Sequence, residues 1–226
     1  MKDPRSRRAA WISFACALVV LVAVPAAAEL TAAQQSCQKE VGRQGRAYFR
    51  SVTRTLRRCK DLIARGTLPP ATDCTLEPAT ATKIARAASQ LTTGLDRRCD
   101  NGVLADLVFG DACYGSATVA DLAACQADVH LDQAEKLVGT LFDASGPVTG
   151  DGRTCQKNAA LQASNFAFKK LDLMRSCKDS VASGKLPAST DCDTETASKV
   201  QKARATAASK IGGFCPDAAV AGLVFG

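Results

Sequence analysis

The sequence predicts an all-α protein built of two tandem disulfide-stapled αα-hairpin repeats, the second copy truncated, and three observations lead there. Blocks of identical residues recur 118 positions apart. Cysteines, eleven in 226 residues, stand at matching places within those blocks. Between them, apolar residues fall at three- and four-residue steps in an alanine-rich chain that is only 5% aromatic, the pattern of amphipathic helices.

Residues 1–28 read as a secretory signal peptide. Lys2, Arg5, Arg7 and Arg8 precede an apolar run from Ala9 to Val24, and Pro25 with Ala26, Ala27 and Ala28 supplies the small residues of a cleavage site after Ala28. Those small residues disfavour an uncleaved anchor, and Ser6-Arg7-Arg8 is a weak match to a twin-arginine signal. Cys16 leaves with the segment. So do four basic residues and one acidic one, which lowers the net charge from +7 to +4 and makes the overall basicity partly a targeting feature. Nucleic-acid binding therefore loses its main support. Trp11 leaves as well, which weakens recognition of carbohydrate by stacked aromatics.

The internal repeat defines the rest. Cys37-Gln38-Lys39 recurs as Cys155-Gln156-Lys157, Cys59-Lys60-Asp61 as Cys177-Lys178-Asp179, and the stretch from Gly66 to Cys74 as that from Gly184 to Cys192. Beyond this the offset falls to 116, pairing Lys83 with Lys199, Cys99 with Cys215, and Leu107–Gly110 with Leu223–Gly226. Copy one, residues 29–142, continues into a further helix expected from Val119 to Phe142, with Leu122, Cys125, Val129, Leu137 and Leu141 on its packed face. A short helical stretch is expected near Leu104 to Phe109. Residues 143–154 read as a turn-rich linker. Copy two, residues 155–226, stops at the equivalent of Gly110 and is expected to be partial.

Helical geometry then sorts the cysteines, for which spacing alone leaves three pairings per hairpin. Val41, Gly45, Tyr48, Val52, Leu56, Cys59 and Ile63 form one face of a first helix that Gly66 ends and Pro69-Pro70 keeps from continuing. Ile84, Ala88, Leu91 and Leu95 line a second, with Pro78 suited to its first turn. Antiparallel packing puts Cys37 beside Cys99 at the open end and Cys59 beside Cys74 at the turn. A Cys37–Cys59 bond would have to span about 33 Å of helix and cannot form. By the same reasoning Cys155 pairs with Cys215 and Cys177 with Cys192, leaving Cys113 for Cys125. Each bond is expected to contribute about 2 to 4 kcal/mol.

Candidate chemistry is sparse. The single histidine, His130, stands near Asp128, Asp132 and Glu135 and reads as a surface residue; no Gly-x-Ser-x-Gly turn accompanies it. An even number of cysteines after export leaves none spare as a nucleophile. No C-x-x-C occurs to hold zinc or exchange disulfides. Asp143, Ser145, Thr149 and Asp151 could offer oxygens to calcium, although ordinary turn formation explains them. Asp73 and Asp191, repeated beside Cys74 and Cys192, are the acids a carboxylate enzyme would use, and both suit local caps. The most suggestive surface is basic: Arg43, Arg46, Arg50, Arg54 and Arg57 recur on the side of the first helix away from its apolar face. Such a stripe could bind an anionic polymer or could be a solvated face. Its counterparts in copy two, Leu161, Ser164, Phe168, Asp172 and Arg175, do not repeat it.

The order Cys-Gln-Lys, long helix, Cys-Lys-Asp, Leu-Pro-x-x-Thr-Asp-Cys and Leu-Val-Phe-Gly resembles cysteine-rich helical tandem repeats of exported proteins from environmental bacteria. The resemblance covers almost all of the chain after residue 28 and implies compartment and repeat character, with no functional residue carried over. The expectation is an exported protein, periplasmic, surface-held or extracellular, that acts as a non-enzymatic binding or structural component of the cell envelope. It needs no cofactor or metal and has no membrane span once the signal is removed; its partner class is an anionic envelope polymer or an acidic protein. The rival readings are a protein inhibitor presenting the loop from Gly66 to Cys74, a small-ligand carrier, and a carboxylate enzyme.

Overall fold

Thr31 starts the first helix, α1 (Ala32–Ala64), with a capping box: its hydroxyl accepts the Gln34 N–H at 3.2 Å and its own N–H donates to the Gln34 side chain at 2.7 Å. At the other end Gly66, at φ 73°, reverses the chain while Gly66 N–H and Thr67 N–H bond to the carbonyls of Ile63 and Leu62. These caps sit in a computed structural model that describes residues 30–105, 107, 111–142, 148 and 150–217. The signal-peptide reading thus lies outside the described residues.

Pro78 opens α2 (Pro78–Asp96) behind Glu77, whose carboxylate accepts from the N–H groups of Ala79 and Thr80. A single turn and a half, α3 (Asn101–Ala105), follows; Asp106 and residues 108–110 of the stretch expected near Leu104 to Phe109 lie outside the described residues. A 3₁₀ turn at Asp111–Cys113 leads to α4 (Val119–Leu141), capped by Thr118 and Asp121 through a second capping box. Two further helices, α5 (Gly150–Ala182) and α6 (Cys192–Phe214), complete an all-helical chain of six α-helices among the described residues. Gly184, at φ 68°, ends α5 with the hydrogen-bond pattern seen at Gly66, and Asp191 caps α6.

Helix α5 begins five residues ahead of Cys155, so the expected linker is shorter than its turn-forming residues implied. Gly150 and Gly152 enter the helix, and Asp151 lies in its first turn, where the positive end of the helix dipole favours a carboxylate. Of the calcium candidates, Asp143, Ser145 and Thr149 lie outside the described residues, and among the described residues no group of three or more metal-ligating side chains occurs.

Five disulfides join Cys37 to Cys99, Cys59 to Cys74, Cys113 to Cys125, Cys155 to Cys215 and Cys177 to Cys192. Their Cα separations, from 4.7 to 5.8 Å, suit unstrained bonds. Bonds of this number are consistent with an oxidising compartment. No helix among the described residues is long and apolar enough to cross a membrane.

The main core lies where α1, α2 and α4 meet. Val52, Leu56, Leu91, Leu95, Leu104, Leu122 and Val138 are its most buried aliphatic residues, and Ala160 and Phe168 of α5 join its edge. On α4 the buried face runs through Val119, Leu122, Ala123, Ala134 and Val138. Cys125, Val129, Leu137 and Leu141, expected on that face, lie half-buried beside it, because the helix is gripped by α1 on one side and α2 on the other. Around the hairpin of α5 and α6 the core is minimal: Cys155, Ala159 and Cys215, with Ile211 packed against them.

Candidate functional site

The arginines of α1 do not form one exposed stripe. The structure lays α5 antiparallel across part of it: Gly42 lies against Arg175, Arg46 pairs with Asp172, and the Arg50 guanidinium sits over the Phe168 ring, 5.1 Å from its centroid. The two numbers in each pair sum to nearly the same value, as a fixed antiparallel register requires. Arg46 donates from Nη2 to Asp172 Oδ2 at 2.5 Å while its Nε lies against Oδ1, the two-pronged fit a guanidinium makes with a carboxylate. Phe49 packs edge-on against Phe168, with ring centroids 5.7 Å apart.

This corrects the expected orientation. Periodicity placed the arginines on one side of α1, but Arg46, Arg50 and Arg57 are half-buried. Burial lowers the pKa of Arg50, helped by the positive charges of Arg46 and Arg54, and burial likewise lowers that of Arg57 next to Arg54. What remains open is an edge. Arg43, Arg54 and Arg58 are exposed and fall at steps of eleven and four residues, which share one helix face. Arg43 also binds Glu40, one turn earlier, at 2.5 Å, and this bond lowers the Glu40 pKa.

Below the seam, α1, α4 and α5 enclose a cleft of about 380 Å³. Its wall mixes Val41, Leu171 and Met174 with the polar groups of Arg46, Gln126, His130, Arg175, Lys178 and Asp179. Cations outnumber acids there, and burial pushes the Asp179 carboxyl up in pKa against the opposing pull of Arg175 and Lys39. The cleft can seat a small anion or a carboxylate on an apolar stem. Sequence reading missed Gln126, Met174, Arg175 and Lys178, since they come from helices whose mutual packing no local pattern encodes.

His130 also departs from expectation. Rather than facing solvent among Asp128, Asp132 and Glu135, its ring packs 5.8 Å from that of Phe49 and reaches so close to Gly45 that an added Cβ would lie 2.8 Å from Nε2. Gly45 thus makes the room the ring occupies. Burial lowers the His130 pKa, with a partial opposing effect from the Gln133 side chain, whose oxygen lies 3.2 Å from Nδ1. The imidazole therefore packs against the Phe49 ring and contributes to the wall of the cleft.

The two repeated acids hold turns. Asp73 accepts from the Thr75 N–H and hydroxyl at 2.8 and 2.7 Å, and Asp191 accepts from the Asp193 N–H at 3.0 Å and the Thr194 hydroxyl at 2.7 Å. These bonds lower both pKa values. Asp73 lines a pocket of about 240 Å³ with Lys60 and Glu135, and Glu135 has its pKa raised by burial first and by Asp73 and Asp132 second. Ten cysteines are locked in the five bonds, so none of those ten offers a thiolate. Comparison of the chain with family models, with curated proteins and with solved structures gives no match in any of the three.

Proposed function

We propose that this protein is an exported, non-enzymatic scaffold of the cell envelope, with two copies of a disulfide-stapled hairpin, α1–α2 and α5–α6. The observation that carries the reading is the placement of the cysteine pairs. Each hairpin is closed at both ends, by bonds enclosing 62 and 15 residues in one and 60 and 15 in the other. Stapling of this kind holds a helical surface in shape where reducing agents and chaperones are absent.

The surface offered to a partner is the open edge of α1, Arg43, Arg54 and Arg58, and its ligand class is an anionic envelope polymer or an acidic protein. Exposed cations of one sign attract such partners over a distance set by ionic strength. The test joins compartment and binding. Protein recovered from the exporting host should have the mass of residues 29–226 with ten oxidised cysteines, and it should bind a polyanion with an affinity that falls as salt rises. Replacing Arg54 and Arg58 by Gln should weaken that binding severalfold. Free thiols throughout, or binding indifferent to both salt and the two substitutions, would count against the reading.

A further inference from the structure

A second surface, lined by residues other than those of the seam and of the open edge of α1, lies between α5 and α6. There the helices leave a groove of about 430 Å³ whose apolar wall is Phe166, Leu173, Ala203 and Ala207. Lys169, Lys199, Lys202 and Lys210 line it too, and no acidic residue does. Among the described residues none of these four lysines makes an ion pair. We propose that this groove binds a single-chain anionic amphiphile, a carboxylate on an unbranched acyl chain.

The groove exists because of what stands at matched positions in the first hairpin. Aligned by the internal register, Ala207 corresponds to Leu91, which is 1% exposed and fills the gap between α1 and α2. Lys210 corresponds to Gly94, whose bare Cα lets the Gln44 amide cross; a Cβ there would lie 2.0 Å from Gln44 Nε2. In the second hairpin the filler is three carbons shorter and the crossing point carries a cation, so an apolar trough with a positive rim stands open. Lysine stems extend such a wall while their ammonium groups stay in water, ready for a carboxylate. The volume decides between occupants: it falls in the range of small-molecule sites, whereas a helix, about 10 Å across with its side chains, would rest on the rim and leave the trough unfilled.

Isothermal titration of the purified protein with butyrate, octanoate and dodecanoate below their aggregation thresholds tests this. Dodecanoate should bind and butyrate should not, with each two-carbon extension tightening the affinity about tenfold. Dodecyltrimethylammonium, with the same chain and the opposite charge, should bind at least tenfold more weakly than dodecanoate. Ala207→Leu, which restores the residue of the first hairpin, should cut dodecanoate affinity at least tenfold with helix content unchanged. Should that variant misfold, the pair Lys202→Gln and Lys210→Gln, at exposed positions, should still weaken binding and flatten its salt dependence. Equal binding of the two amphiphiles, or full affinity in the folded Ala207→Leu variant and in the lysine pair, would overturn the proposal. Binding of an acidic amphipathic peptide, with dodecanoate inert, would overturn it in favour of a protein partner. The mass and polyanion measurements above are unaffected by either result.

Discussion

The two hairpins share a register of cysteines and turns and differ in what holds them. In α1–α2, Val52, Leu56, Leu91 and Leu95 are no more than 2% exposed. At the matched positions α5–α6 carries Lys170, exposed, and Met174, Ala207 and Ile211, all half-exposed. One difference lies opposite α4, which packs on the face of α1 that runs through Gly45, Phe49, Val52 and Leu56: the matching positions of α5 are Ala163, Ala167, Lys170 and Met174, so a ring and a valine give way to a methyl group and a cation. The hairpin α1–α2 can rely on burial, with its disulfides as reinforcement; α5–α6, which has a small core between its own two helices, relies more on its disulfides. The same covalent pattern therefore does different work in the two halves.

Breaking the open-end bonds should produce the largest contrast. Replacing Cys155 and Cys215 by Ala removes a constraint on a loop of 60 residues, an effect of about 4 kcal/mol in the chain-entropy account. The small core around Ile211 cannot offset it, so α6 should lose its amide-exchange protection. The equivalent change at Cys37 and Cys99 removes a similar constraint but should leave α2 protected, because Leu91 and Leu95 remain packed.

Truncating one matched pair of side chains sharpens the comparison. Leu95→Ala should destabilise the protein by about 2–5 kcal/mol, the usual range for a fully buried leucine. Ile211→Ala, at the same register position and half-exposed, should cost about 1 kcal/mol or less, since little of its surface is withdrawn from water. Chemical denaturation of both variants checks this. Equal costs would mean that α5–α6 has a core as effective as that of α1–α2.

The seam between the hairpins gives a smaller effect. Asp172→Asn removes the charge facing Arg46, and stability should fall by about 1 kcal/mol, less in high salt. Arg50→Ala should have a comparable effect through lost stacking on Phe168.

Smallest is the pH dependence of the covered half. His130, between Phe49, Gly45, Gln126 and Gln133, has its pKa held below the ordinary value of 6.5 by burial. The folded protein therefore binds fewer protons than the unfolded chain between the two pKa values. Stability should be flat above about pH 7 and decline as pH drops below 6.5. His130→Gln should remove that decline, whereas the carboxylates Glu40 and Asp73, with lowered pKa values, lose their contribution only in the more acidic range below their unfolded values. Melting temperature against pH for both proteins separates the two.

Local rules carried much of the fold. Gly66 and Pro69-Pro70 mark the first turn, the steps of Val41, Tyr48, Val52 and Leu56 mark the buried face, and antiparallel geometry then leaves each cysteine the neighbour to which the structure bonds it. The site was less legible. Helical periodicity tells which side chains share a face and says nothing about what covers that face, so Arg46 and Arg50 read as solvated. A signal existed: the counterparts of Arg46, Arg50 and Arg54, which are Ser164, Phe168 and Asp172, offer a small residue, a ring and an acid, the complement of an arginine row packed antiparallel on its own copy. The burial of His130 had no such signal, because it depends on Gly45 lying opposite in space 85 positions earlier. Nor did the groove, which arises from two exchanges, Leu91 for Ala207 and Gly94 for Lys210, that are unremarkable one at a time.

The most direct test of the asymmetry is hydrogen exchange under mild reduction, followed helix by helix with mass spectrometry as the disulfides open. The account predicts that α5 and α6 lose protection first and together, while α1, α2 and α4 keep theirs until denaturant is added. Simultaneous loss across both hairpins, or earlier loss in α1 and α2, would contradict it.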